Sequence, residues 1–349
     1  MSMSTSMPHV RTTSSPSEGL RQRAEPRRSE TQHSEAAGTA VVAVTGATGF
    51  VGHAVCSALA RQGVPVRALV RRPDATSGLP ATASVVLGLL EDDASLASLV
   101  EGAGTIVHAA GLVSARRPED FRRVNVEGTK RLLAAVRTSA RPARILLVSS
   151  LAARAPSLSA YAASKRAAEA AVADAGVEFC IVRPPAIYGP RDKATLPLFR
   201  QLAHGLLVAP RLRGARFSLL HVEDLADLLR RLAVIPRWAG DKLEPDDGRD
   251  GGYGWSDIAA IAQAHLGRPV RCVRVPRSVA WSAALLDEAL AAARGRAPRL
   301  SRGKLGELWY PDWVCRRAAA TASPGWAARI GFAEGFGSTL AWYRRHGWL

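Results

Sequence analysis

The chain is predicted to be α/β, with a doubly wound parallel sheet and a smaller C-terminal α/β part. Three observations predict this. From residue 41 to about Tyr188, apolar runs of strand length alternate with Ala, Leu and Arg at helical spacing, the pattern of a parallel sheet covered on both faces. A glycine-rich turn joins the first strand to the first helix. The 349 residues and the 47% hydrophobic fraction are enough for one large core or two modest ones.

The elements follow in order. Residues 1–38 are rich in Ser, Thr, Arg and Glu, with too few apolar residues to fold, so a disordered arm is expected. The arm lacks an apolar core segment and is not a secretory signal. Residues 41–45 form the first strand and lead into Val44-Thr-Gly-Ala-Thr-Gly-Phe-Val-Gly52, with a helix over 50–60. A strand, a tight glycine turn and a helix in that order form a dinucleotide cradle. One glycine permits the turn, another lets the backbone approach a pyrophosphate, and the third lets the helix pack on the strand. The helix N-terminus offers unpaired N–H groups to the phosphates. Gly46, Thr48, Gly49, Phe50, Val51 and Gly52 are the cofactor candidates of this turn.

Further strands are expected at 64–70, 84–87, 105–109, 144–149 and 178–182, joined by right-handed crossovers. Beyond Tyr188 the alternation loosens. A helix is expected over 195–205, a strand over 217–222 and a helix over 225–232. The Gly, Pro and Asp content of 236–254 predicts a loop, and Ser256 a helix cap for a segment ending near Leu266. A short strand over 270–275, a helix over 278–293 and shorter helices complete the chain. The expected division is a nucleotide-binding Rossmann domain over 39–190, to which 215–235 returns, and a substrate-binding part from 191–214 and 236–349.

The net charge of +17 comes from 47 basic residues, of which only Lys130, Lys165, Lys193, Lys242 and Lys304 are lysines. Such a balance attracts anionic cofactors, nucleic acid or lipid surfaces. The arginines are dispersed, without aromatic interleaving or a nucleic-acid motif, so nucleic acid is not an expected partner. Cys56, Cys180, Cys272 and Cys315 are scattered and form neither a zinc pattern nor a disulfide framework, so no metal is expected and a reducing, cytoplasmic setting is. No apolar stretch reaches the roughly 18 residues of a membrane span. The helix over 278–293 is amphipathic and flanked by arginines. Its first reading is packing within the C-terminal part, and its second is a peripheral contact with an anionic membrane.

Chemistry enters with Tyr161-Ala-Ala-Ser-Lys165, which places a phenol and an ammonium on one helix face. A neighbouring cation lowers a tyrosine pKa from about 10 toward neutrality, as an acid/base acting on an alcohol or carbonyl requires. The strand before it ends in Ser149-Ser150, whose hydroxyls could hold the reacting oxygen. His108, on an apolar strand, reads as a core histidine before a catalyst. Arg191 and Lys193 read equally as a solvated turn or as contacts to an anionic substrate.

With these residues in place, the chain resembles an extended short-chain dehydrogenase/reductase of the NAD-dependent epimerase/dehydratase family. The resemblance runs from about Val41 to the C-terminus. It rests on the glycine turn, His108-Ala-Ala-Gly111, Asn125-Val-Glu-Gly-Thr129, Ser149-Ser150, the Tyr161/Lys165 pair and Arg183-Pro-Pro-Ala-Ile-Tyr-Gly-Pro190, with His221-Val-Glu-Asp-Leu-Ala226 and the closing Trp342 to Leu349 after them. The resemblance implies that Tyr161 is the acid/base and that Lys165 binds the nicotinamide ribose and depresses the Tyr161 pKa. It implies that Ser150 holds the substrate oxygen and that Asn125 helps hold a proton-relay water. Pro184 would border the nicotinamide, and Ala109, Ala110 and Gly111 would line the cofactor.

Relatives that prefer NAD carry an acidic residue at the end of the second strand. Here Arg71 and Arg72 stand there and suit a 2′-phosphate, so NADP is expected over NAD, with Asp74 the dissenting residue. In Gly88-Leu-Leu90 the usual acidic adenine contact is replaced by Leu89, which leaves adenine to backbone groups, with Leu90 among the cofactor contacts. Only ten residues separate Ser150 from Tyr161, fewer than in relatives that act on sugar nucleotides. Leu151 and Ala152 offer no acidic pair, which disfavours dehydration. Helices followed by a stretch like Pro298 to Ser301 recur in relatives that reduce lipophilic ketones, a hint toward an apolar substrate.

The expected function is therefore NAD(P)-dependent oxidoreduction or epimerisation at a secondary alcohol or ketone of a small molecule, with reduction favoured. The alternatives are a sugar-nucleotide epimerase/dehydratase with tightly bound NAD and, from another class, a non-catalytic NAD(P)-binding accessory subunit or redox sensor. Relatives dimerise through the helices that carry Asn125 and Tyr161 here, so a homodimer is expected.

Overall fold

A computed structural model describes residues 40–238, 240, 242–316 and 325–349. The arm expected over 1–38 lies outside the described residues. The first half alternates strand and helix as follows: β1 (Val41–Thr45), α1 (Phe50–Arg61), β2 (Val66–Val70), β3 (Ser84–Leu87), α2 (Asp93–Val100), β4 (Ala103–His108), α3 (Pro118–Phe121), α4 (Gly128–Thr138), β5 (Arg144–Val148), α5 (Ala160–Ala173) and β6 (Phe179–Val182). Six of the strands pair in parallel, and a seventh from the C-terminal half, β11 (Lys242–Leu243), completes the order β11-β6-β5-β4-β1-β2-β3.

Side chains alternate across this sheet, so each central strand feeds two cores. On one face Val42 and Val44 pack with Val55 and Leu59 of α1 and with Leu225, Leu229 and Leu232. On the other, Ala43 and Ile106 pack with Leu96 and Leu99 of α2 and Leu132 and Val136 of α4. The doubly wound reading is therefore realised, with the strand ends at 45, 108 and 148 opening on one edge.

The second half comprises β7 (Ala186–Tyr188), α6 (Leu196–Ala203), β8 (Leu206–Pro210), β9 (Arg216–Phe217), β10 (Leu219–His221), α7 (Val222–Val234), β11 (Lys242–Leu243), α8 (Trp255–Leu266), β12 (Arg271–Val275), α9 (Arg277–Ala293), α10 (Arg302–Leu308), β13 (Asp312–Trp313) and α11 (Phe332–Arg345). Its core is aromatic. Tyr188, Phe199, Tyr253, Phe332, Phe336 and Tyr343 are buried together, with Phe199 stacked on Phe336 at 5.2 Å and edge-on to Tyr343 at 5.4 Å.

Three expectations are corrected here. The strand expected over 217–222 is two strands. Ser218 breaks it, its hydroxyl donating to Asp246 at 2.8 Å, so that β9 pairs with β13 and β10 with β7. The loop expected over 236–254 contains β11, the edge strand of the main sheet, where the Leu243 carbonyl accepts from the Arg183 amide at 2.7 Å. The cap expected at Ser256 is Gly254, because the Asp257 carboxylate reaches back to the Gly254 amide at 2.8 Å. Strands β7 and β8 were not anticipated.

Candidate active site

The glycine turn after β1 is shaped by close backbone contacts. Gly46 has φ +70, and a Cβ there would lie 2.7 Å from the Ala110 nitrogen. A Cβ on Gly52 would lie 2.1 Å from the Gly46 carbonyl oxygen, so only glycine lets α1 pack this tightly on the turn. Gly49 caps α1 without any side-chain hydrogen bond. The first N–H groups of α1, at Phe50, Val51 and Gly52, thus face outward beside the exposed Thr48 and Gly49, as an anion cradle requires. These residues fit a dinucleotide pyrophosphate.

The loop after β4 is held against this turn by a directional chain of hydrogen bonds. The Ala110 amide donates to Thr45 Oγ1 at 3.2 Å, and Thr45 Oγ1 lies 2.7 Å from His108 Nδ1. His108 Nε2 lies 2.9 Å from Thr129 Oγ1, whose proton goes to the Asn125 carbonyl at 2.7 Å. Since Thr129 already donates, Nε2 carries the imidazole proton and Nδ1 accepts from Thr45. Burial, with the Lys165 charge adding, pushes the His108 pKa down to about 3. His108 is a neutral core histidine, as its apolar strand suggested.

Asn125 lies in a π turn over Arg122–Glu127, between α3 and α4. Its side chain accepts from the Leu112 amide at 2.7 Å and donates to the Leu112 carbonyl at 3.0 Å and to Ser164 Oγ at 2.9 Å. Ser164 in turn donates to the Tyr161 carbonyl at 2.7 Å. The Asn125 amide therefore pins the loop that carries Ala109 to Gly111 to the helix that carries Tyr161. A Cβ on Gly111 would sit 3.0 Å from Asn125 Oδ1 and 3.7 Å from Lys165 Nζ.

Ser150, Tyr161 and Lys165 come together at the C-terminal end of β5. The Ser150 hydroxyl lies beside the Tyr161 phenol, close enough to act on its pKa. Phe121 packs edge-on against the Tyr161 ring at 5.9 Å. Lys165 is buried, and its ammonium donates to the Val148 carbonyl at 2.8 Å. The expectation of a depressed tyrosine pKa is corrected here. Burial pushes Tyr161 up to about 12, the Ser150 hydroxyl opposes this, and the Glu307 carboxylate adds to the rise. Burial likewise lowers Lys165 to about 8, with Glu169 opposing. Both groups share one helix face, and loss of water dominates each of their pKa values.

Ser149 points the other way. Its hydroxyl donates to Glu169 at 2.5 Å, and Glu169 pairs with Arg183 at 2.6 Å. Arg183 also meets Glu244 at 3.4 Å, and Glu244 meets Arg154 at 3.2 Å. Arg154 then donates to the Val314 carbonyl at 2.8 Å. This buried ion-pair network runs under the site and ties the sheet to the C-terminal segment. Pro184 is buried, and its carbonyl accepts from Leu151 at 2.9 Å, fixing the turn after Ser150.

Several neighbours of the site carried no signal in sequence. Glu307 of α10 accepts from the hydroxyl of Ser159, which caps α5 two residues before Tyr161. Gly306 packs so closely that a Cβ would lie 2.7 Å from the Leu158 carbonyl oxygen. Nothing in spacing or composition links residue 307 to residue 159. Ser164 could have been found, since it lies inside the Tyr-Ala-Ala-Ser-Lys segment.

The remaining candidates lie at the periphery. Arg71 and Arg72 are exposed at the end of β2. Arg72 pairs with Asp74 at 3.4 Å, whereas Arg71 makes no ion pair among the described residues. Leu90 is buried, its side chain 3.0 Å from where a Cβ on Gly128 would stand, while Leu89 is exposed. Arg191 has φ +73, and its guanidinium lies 3.4 Å from where a Cβ on Gly78 would stand, on the nucleotide-binding side. Its charge and, more strongly, burial lower the His53 pKa. His221 caps α7, accepting from the Glu223 amide at 3.3 Å, and Asp224 accepts from the Ile330 amide at 2.9 Å and so binds the start of α7 to the C-terminal segment. No His/Cys/Asp/Glu group suited to a metal occurs among the described residues.

Comparison with known proteins agrees with this geometry. The chain is 40% identical over 310 residues to a ceramide reductase of Caulobacter vibrioides, covering 88% of this chain and 96% of that one. It is 37% identical over 175 residues to a 4-hydroxy-2-methyl-3-oxo-4-farnesyl-3,4-dihydroquinoline-1-oxide ketoreductase of Stigmatella aurantiaca, covering 44% of this chain and 52% of that one. The UDP-glucose 4-epimerase of Thermotoga maritima shares the fold, with a TM-score of 0.67 at 16% identity over 88% of this chain and 99% of that one. The profile of the NAD dependent epimerase/dehydratase family matches residues 42–237. A Rossmann sheet that ends in a glycine cradle, a Ser–Tyr–Lys cluster beside it and a family match over more than half the chain lead to one conclusion: this protein belongs to the NAD-dependent epimerase/dehydratase family of enzymes.

Proposed function

We propose that the protein is an NADPH-dependent reductase of a long-chain, lipophilic ketone. The observation that carries the chemistry is the Ser150 hydroxyl beside the half-buried Tyr161 phenol, with Lys165 one turn further along α5. When bound, the nicotinamide supplies or accepts a hydride. The other roles fall to the chain's own residues. Ser150 and the Tyr161 hydroxyl hold a ketone oxygen from two sides. Tyr161, protonated at neutral pH, stands ready to give that oxygen its proton. Lys165 holds its ammonium at the floor of the site through Val148. Asn125 is a positioning residue, with its side chain engaged by Leu112 and Ser164.

The substrate class is supported by the 40% identical ceramide reductase, which is matched along nearly its whole length. It is supported too by the short stretch between Ser150 and Tyr161, folded into two tight turns at Leu151–Arg154 and Pro156–Leu158. Arg71 supports NADPH over NADH, because it makes no ion pair among the described residues whereas Arg72 is partly neutralised by Asp74. The test is Tyr161→Phe, assayed with NADPH and a long-chain ketone such as a 3-ketoceramide. Turnover should fall by about 10²–10⁴-fold while nucleotide affinity stays unchanged. Turnover equal to wild type would overturn the assignment.

A further inference from the structure

Helix α9 shows its apolar side to water. Its buried positions are Ala280, Ala284 and Ala291, the first two packed with Leu305 of α10. At 100° per residue the opposite side spans roughly 200° and carries Val279, Trp281, Leu285, Leu286 and Leu290, with only alanines and two serines between them. Leu286 is 62% exposed and Val279 58%. The two acidic residues of the helix do not interrupt this face. Asp287 is turned onto Arg296 at 2.8 Å and Glu288 onto Arg302 at 2.9 Å. An uncharged outward face of this breadth is the reverse of an ordinary surface helix.

Its surroundings are cationic. Residues 271–304 carry seven arginines and Lys304 against only Asp287 and Glu288. Both carboxylates are already paired, and Arg271, Arg277, Arg294 and Arg299 make no ion pair among the described residues. Arg277 lies over the Trp281 ring at 5.9 Å, at the first turn of the helix. Apolar side chains rimmed by unpaired arginines complement an anionic lipid surface, in which the side chains enter the acyl boundary and the guanidinium groups meet phosphates.

The helix also flanks the reaction site. Its inner face rests on α10, whose Glu307 accepts from Ser159 at the start of the Tyr161 helix. Just beyond its end, Gly295 lies against Arg116, whose guanidinium is 3.1 Å from where a Cβ would stand. Arg116 belongs to the loop that begins at Gly111, and Val113 of that loop is 63% exposed.

We propose that α9 is a peripheral membrane anchor, seating its Val279–Leu290 face in the surface of an anionic phospholipid bilayer so that the rim of the catalytic site meets the lipid. The docking rests on the helix itself and does not depend on the substrate assignment. The test uses the full chain in flotation with extruded vesicles of phosphatidylcholine alone or with about 30 mol % phosphatidylglycerol. The protein should float with the anionic vesicles at about 50 mM salt and be released at about 500 mM. The variant Leu285→Glu/Leu286→Glu, altered only at solvent-facing positions, should keep the wild-type Tm and nucleotide affinity and lose at least about 10-fold in vesicle binding. No flotation of the wild type at low salt overturns the proposal, as does equal binding by the variant. A dimer dissociated by Leu286→Glu, without vesicle binding, would assign the face to a second copy of the chain instead. Reduction of a water-soluble ketone by the same samples reads the proposed chemistry separately from the docking.

Discussion

Replacing Arg71 with alanine should cost NADPH and spare NADH. The only chemical difference between the two cofactors is the 2′-phosphate, and two guanidinium groups, of Arg71 and Arg72, stand exposed at the end of β2, where the proposed preference for NADPH puts that phosphate. Arg72 shares its charge with Asp74 at 3.4 Å, which leaves Arg71 the stronger candidate. A charge-assisted hydrogen bond contributes about 1.5–3 kcal/mol, and an exposed partner belongs at the low end of that range. About 1.4 kcal/mol is a factor of ten, so Arg71→Ala should raise the KM for NADPH roughly 10-fold and leave that for NADH unchanged. Arg72→Ala should have a smaller effect, about 3-fold. Asp74→Asn, by freeing Arg72, should improve NADPH binding by roughly 2–3-fold. The assay is initial-rate kinetics with each cofactor at low and high salt, where the Arg71 effect should shrink as salt rises. Equal losses with both cofactors, or none with either, would refute the reasoning, because a residue that reads the 2′-phosphate cannot act on a cofactor that lacks it.

Three further outcomes follow from the same geometry. Arg183→Met leaves Glu169 and Glu244 buried without their shared cation and should lower unfolding stability by about 3–5 kcal/mol in urea titration. His108→Phe deprives Thr45 of its acceptor, at a cost of about 2 kcal/mol. In the wild type, the folded His108 pKa of about 3 lies below the ordinary 6.5, so the unfolded chain takes up a proton that the folded one refuses. The His108 contribution to stability is thus constant above pH 6.5 and is lost progressively as pH falls toward 3, a trend that His108→Phe should flatten in denaturation measured across that window. Glu307→Gln removes the carboxylate that helps raise Tyr161, so the alkaline limb of the kcat/KM profile should move to lower pH; an unmoved limb would separate Glu307 from the phenol.

Much of the fold was legible because a parallel sheet announces itself. β1 through β6 are largely apolar runs of strand length, and each was placed within two residues of its observed span. β11 was hidden because it is two residues long, lies in a Gly/Pro/Asp-rich stretch and shows only Leu243 as a buried position. Residues 217–222 looked like one strand because the distant partners that split it, β13 and β7, leave no local trace. At the site, Tyr161, Lys165 and Ser150 were legible as a spacing. The direction of the Tyr161 pKa was not, since it depends on how much water the folded chain removes. Glu307 was invisible for the reason that hid β13: its partner, Ser159, is 148 residues away.

The π turn over Arg122–Glu127 holds one residue more than the α turn it replaces, and that residue is absorbed within the turn. Deleting a single residue ahead of Asn125, such as Val124, would rewind the segment into ordinary helix while the helices on either side keep roughly their rotational phase. Phe121, whose ring lies 5.9 Å from that of Tyr161, would keep its place. The change would fall on Asn125 itself, which sits inside the bulge and holds Leu112 and Ser164. A one-residue change of length would therefore loosen the clamp between the loop after β4 and the helix of Tyr161 without moving the aromatic ring beside them.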